Sequence, residues 1–159
     1  MRPLLLALIV FSGCGITRDE TIDVVHDPCG GLALHVSSEA TAEERKSVIE
    51  AAEIWNAIAW LHLSLSESLA EDEGSVPIDF RAAPLAFLGV YEDESGEVLV
   101  NRRIKDARAR AITVAHEVGH AMGLAHVTER ASIMNIANTE VLPTADDEAT
   151  LLGRWGCAP

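Results

Sequence analysis

His116, Glu117, His120 and His126 stand in the run HEVGHAMGLAH. Two histidines four apart on a helix are separated by a rotation of about 400°, so their imidazoles lie one turn apart on one face and can share one ion. Glu117 sits one position further around, where its carboxylate reaches a water at that ion without being a ligand, as the H-E-x-x-H arrangement requires. Ten residues of straight helix after His116 would advance about 15 Å, too far for His126 to meet the same ion, so the chain must turn between them. Gly123 supplies the residue that tolerates positive φ at that break. Three neutral imidazoles with one open position suit one catalytic Zn2+, with Glu117 as the general base for an attacking water. His26, His35 and His62 match no ligand spacing with this group and are expected to be ordinary strand or surface histidines.

The elements that must position these residues are legible from periodicity. Asp106 can cap a helix through Ala111, Ile112, Ala115, Gly119 and Met122 that Gly123 ends. Thr41 and Glu44 have capping-box spacing ahead of a long amphipathic helix whose apolar positions are Val48, Ala51, Ala52, Trp55, Ile58 and Ala59. A third helix starts at Thr144, with acidic residues in its first turn and Leu151, Leu152 and Trp155 on its buried face. Strand-like segments are Ile22 to Val25, Leu32 to Val36, Leu61 to Leu65 with His62 facing outward, Val76 to Arg81, Leu85 to Tyr91 and Val98 to Ile104. Four or five strands backed by a long helix make an α/β (α+β) fold.

HEVGHAMGLAH, followed by Ala131, Ser132, Ile133, Met134 and Asn135, resembles the extended zinc signature and methionine turn of the metzincin clan. The order of elements resembles a small matrixin-like catalytic domain. The resemblance implies a twisted sheet with a backing helix, an active-site helix, a Met-turn and a C-terminal helix, with Met134 as the hydrophobic floor under the zinc. It implies a zinc endopeptidase whose peptide or protein substrate lies extended along an edge strand, here Leu85 to Tyr91 by order. Val127 stands where matrixins usually carry serine. Tyr91, the only tyrosine, precedes the active-site helix, so no tyrosine follows the Met-turn, and oxyanion stabilisation would rest on zinc, Glu117 and backbone donors. Two other readings remain: a catalytically silent metzincin-fold surface lipoprotein acting as a binding module, against which Glu117 argues, and a zinc enzyme cleaving a non-peptide amide.

The amino terminus has the character of an export signal, with Arg2, an apolar run from Leu4 to Phe11 and small residues ahead of Cys14. The run is well short of the ~20 residues that span a bilayer. Phe11, Ser12, Gly13 and Cys14 resemble a bacterial lipobox, which implies a lipid on Cys14, membrane attachment and a place at the cell surface or outer membrane; an ordinary secretory signal is the alternative. Residues 1–13 are thus expected to be a signal peptide, 14–21 a tether and 22–159 the catalytic domain. With Cys14 acylated, the other two of three cysteines, Cys29 and Cys157, are free to form a disulfide. Asp27, Pro28, Cys29 and Gly30 also faintly resemble the thiol segment that blocks zinc in latent matrix metalloproteases; the disulfide is favoured because no separable propeptide precedes Cys29. A formal charge of −13 repels phosphate backbones, so nucleic acid is not an expected partner, and a monomer is expected.

Overall fold

A computed structural model describes residues 22–66 and 74–157. The expected signal peptide, tether and Cys14 fall outside these residues. Eight elements follow in chain order: β1 (Leu32–Val36), α1 (Ala42–Asn56), β2 (Leu63–Ser66), β3 (Val76–Arg81), β4 (Gly89–Glu92), β5 (Glu97–Asn101), α2 (Ala107–Ala121) and α3 (Ala145–Trp155). The strands form one mixed sheet in the order β2-β1-β3-β5-β4. The first four pair in parallel and β4 closes one edge antiparallel to β5. Five strands and three helices give the α/β fold expected from the sequence, and no helix among the described residues is long and apolar enough to cross a membrane.

Alternation decides which sheet face is covered. Leu32, Leu34 and Val36 of β1, Val76, Ile78 and Phe80 of β3, and Val98 and Val100 of β5 point into one core with α1 and α2. Helix α1 begins on the capping box read from the sequence: the Thr41 side chain accepts from the Glu44 N–H, and Glu44 in turn accepts from the Thr41 N–H. Val48, Ala51, Ala52 and Trp55 form its buried stripe. The Trp55 indole, fully buried, donates to the Ala115 carbonyl at 2.8 Å and so fixes the spacing of α1 and α2 one residue before His116. Arg110, also buried, is satisfied by Ser47 Oγ (2.8 Å) and the carbonyls of Ile104 (3.0 Å) and Glu43 (3.1 Å), which pins the start of α2 to the start of α1. Helix α3 lies against the far end of α2, where the Trp155 indole donates to the Met122 carbonyl.

Several boundaries differ from the periodicity. Ile22 to Val25 is not a strand: the Val24 N–H bonds to Asp93 and the His26 N–H to Ala121, two partners on different elements rather than a ladder. Residues 85–88 are a loop, because the Asn101 carboxamide takes the carbonyls of Ala83, Pro84 and Phe87 and bends the chain before β4. Strand β5 stops at Asn101, and α1 stops at Asn56, leaving Ala59 exposed.

Candidate metal centre

Helix α2 carries the site. Its N-cap Asp106 accepts from the Ala109 N–H at 2.7 Å, and its buried face continues through His116, Glu117 and His120. The helix ends in a Schellman turn. The Gly123 N–H reaches the His120 carbonyl (2.7 Å), the Leu124 N–H reaches the Gly119 carbonyl (2.9 Å), and Gly123 has φ +88°. This reversal brings His126 back over the helix face. Its Nε2 lies 3.3 Å from Nε2 of His116 and 3.2 Å from Nε2 of His120.

Two carbonyls set the tautomers. His116 Nδ1 is 2.7 Å from the Ile133 oxygen and His120 Nδ1 is 2.7 Å from the Leu124 oxygen. A carbonyl only accepts, so each Nδ1 carries the proton and each Nε2 turns a lone pair toward the common point. Tetrahedral nitrogen ligands at zinc distances sit about 3.3 Å from one another, so the spacing fits one such ion. Burial lowers His116 to about 4, with His126 adding to the effect and the Ile133 carbonyl opposing it. Burial, reinforced by His116 and His126, lowers His120 to about 3. Both are therefore neutral donors at neutral pH. The sign for stability follows from these depressed values: the unfolded chain binds protons near pH 6.5 and the folded chain only near pH 4 and 3. Glu117, raised to about 8 by burial, has the opposite linkage, so in metal-free Glu117→Ala the contribution of the two histidines should be full above pH 6.5 and be lost as pH falls through those values. Thermal denaturation across that range checks this, and a melting temperature that stays level down to pH 4 would contradict it.

Glu117 is buried beside the sheet edge, next to Gly89 of β4. A Cβ on Gly89 would fall 2.7 Å from Glu117 Oε1 and 3.0 Å from the Thr113 methyl, so only glycine lets the edge strand lie this close. Burial pushes the Glu117 carboxyl up to about 8, against the opposing pull of a hydrogen bond from the Tyr91 main chain. A cation held by the histidines favours the carboxylate. Met134 is buried against α2, and a Cβ at Gly119 would meet its Sδ at 2.5 Å. The Met-turn is held from α3. Asp147 accepts from Ser132 Oγ (2.6 Å), the Ile133 N–H (3.3 Å) and Arg130 (3.1 Å). Burial opposes ionisation of Asp147, but bonds from Ser132, Thr144 and Ile133 outweigh it and hold the carboxyl below its ordinary value. Val127 acts through its main chain: its N–H donates to the Met134 carbonyl and its oxygen accepts from Asn135.

The structure thus brings together all of His116, His120, His126, Glu117 and Met134. His26, His35 and His62 lie outside the group. Periodicity does not reveal Gly89, Thr113, Ile22 or Asn138, which also line the cleft of about 370 Å³ over the site. Asn138 has a local signal only in hindsight: its carboxamide donates to the Ile133 carbonyl, the same oxygen that orients His116.

A family model described as matrixin matches residues 92–150, from the end of β4 through α2, the three histidines and the Met-turn into α3. The chain is similar to matrixins over that span, and its mixed α/β fold agrees with a metzincin-like architecture. No curated protein matches the chain.

Proposed function

We propose that this chain is a zinc-dependent peptidase that hydrolyses peptide bonds with Glu117 as general base; the sequence reading makes it an endopeptidase. The observation that carries the reading is the convergence of three Nε2 atoms, two with their tautomer set by carbonyls, beside a buried carboxylate that is not itself in the ligand group. Zinc bound there supplies Lewis-acid activation of water and of the scissile carbonyl. His116, His120 and His126 hold it, while Met134 and Gly119 fix the floor beneath them. Glu117 accepts the proton from the attacking water and returns it to the leaving amine, which closes the proton balance without a covalent intermediate. The free edge of β4 offers main-chain groups to an extended substrate beside Glu117. Export through the amino-terminal signal, a lipid on Cys14 and placement at the cell surface complete the reading, with secretion as its alternative.

The first test is of the metal. Protein reconstituted with zinc and dialysed should retain one ion per chain, and a chelator should remove both the ion and peptide hydrolysis together. Failure to retain zinc in stoichiometric amount, or hydrolysis that survives chelation, would defeat the reading.

A further inference from the structure

We propose that the segment from Ile22 to His26 is a strap that closes one end of the cleft, so that a substrate chain extends only two or three residues past the reacting centre on that side. The inference rests on the peptidase reading above and narrows its endopeptidase form.

The Asn101 N–H donates to the Leu88 carbonyl, which makes Leu88 and Asn101 a hydrogen-bonded pair next to the Gly89 and Val100 register. Hydrogen-bonded pairs alternate in an antiparallel ladder, so Leu88, Val90 and Glu92 turn their main-chain groups toward β5. Gly89, Tyr91 and Asp93 turn theirs toward the free edge, where a substrate strand would pair. Glu117 lies beside Gly89 and takes a hydrogen bond from the Tyr91 main chain, which places the reacting centre at this stretch of the edge.

Asp93, the next outward position, is already used. Its carbonyl accepts the Val24 N–H at 3.1 Å. The Tyr91 hydroxyl donates to the Val24 carbonyl at 2.9 Å, and burial with Asp93 nearby pushes that hydroxyl up to about 12, so it remains a donor. The strap also packs on the β4–β5 turn at Gly96, where an added Cβ would lie 3.1 Å from both Val24 Cγ1 and His26 Nε2. At its other end the His26 N–H bonds to the last residue of α2, Ala121, at 2.8 Å, and Cys29 is bridged to Cys157 just beyond. Ile22 packs on the core and lines the same cleft as the three histidines. From Tyr91 to Asp93 there is about 7 Å of edge, which holds two or three extended residues. Phe87 and Ile136, both exposed, also line the cleft.

A substrate meeting this groove must end, or turn away from the sheet, soon after the scissile bond on the strap side. The preferred substrate class is therefore peptides cut close to one terminus. The test is to digest a pool of randomised peptides with the zinc-loaded protein and map every cut by mass spectrometry. Cuts within about three residues of one terminus should exceed internal cuts by about tenfold or more. Val24→Pro, which removes the N–H given to Asp93, and Tyr91→Phe, which removes the bond to the Val24 carbonyl, should each bring that ratio toward one, with faster amide exchange at His26 reporting release of the strap. Equal cutting of internal and terminal bonds by the wild type would overturn the inference while leaving the peptidase reading intact. So would an unchanged ratio in variants whose strap exchanges freely. If Val24→Pro does not fold, Tyr91→Phe decides alone. A zinc-loaded wild type that cuts no peptide overturns the peptidase reading, and this inference with it.

Discussion

Glu117→Ala is expected to retain zinc and the native fold while losing about 10²- to 10⁴-fold in turnover. The division of labour on α2 is the reason. The three Nε2 atoms that face one another belong to His116, His120 and His126, and Glu117 is not a member of that group, so removing it takes no ligand away. Nor does the fold depend on it: a carboxylate only 5% exposed and held up to about 8 by burial is itself a cost to folding, which alanine removes. What is lost is a carboxylate that lines the cleft and packs against Gly89 of the edge strand. Glu117→Gln is the companion, since it keeps the shape and an acceptor for the Tyr91 N–H but cannot take a proton. Elemental analysis, circular dichroism and kcat/KM on one peptide decide the matter. Rates near wild type in either variant with zinc bound would refute the role given to Glu117. Normal zinc content in a wild type without turnover would favour the binding-module reading.

The centre was legible because its information is local. The spacing of His116, Glu117 and His120 needs only helical geometry, and Gly123 marks the turn that His126 requires. Met134 came from a resemblance, and the structure supplies its physical reason in the contact with Gly119. The capping box at Thr41 likewise depends on residues three apart, as does the box with Asp147 that the structure adds at the expected helix start, Thr144. What escaped was set by contacts between distant segments. Ile22 to Val25 has strand composition, yet the Val24 N–H is claimed by Asp93 in the turn after β4 and the next residue, His26, gives its N–H to Ala121 of α2, and nothing within the segment announces them. The loop at 85–88 looks like strand, but the side chain of Asn101, far along the chain, takes the carbonyls of Pro84 and Phe87. Gly89 reads as a weak point in a strand. Its meaning appears only when Glu117 is seen against it.

Loss of the bridge between Cys29 and Cys157 should have the largest effect on stability. The two residues are 128 apart in sequence, and their Cα atoms stand 5.5 Å apart in the fold. Tying such distant points removes much of the freedom of the unfolded chain, and by chain-entropy reasoning a loop of this length is worth roughly 5 kcal/mol. That is comparable with the entire stability of a small domain, about 5–15 kcal/mol. The bridge also joins the end of α3 to the base of the strap, close to where the His26 N–H meets Ala121 at the end of α2. Cys157→Ser should therefore lower the unfolding free energy by about 3–5 kcal/mol in guanidinium chloride, with Cys29→Ser the same. The double variant should add almost nothing, because both single changes remove one link. A free Cys29 acting as a latency thiol predicts the opposite pattern, with Cys29→Ser raising activity and costing little stability. In the structure the Cys29 sulfur is bonded to Cys157, which leaves no thiol to offer the histidines. A loss below about 1 kcal/mol in both single variants would show that the bridge does not restrain the unfolded chain.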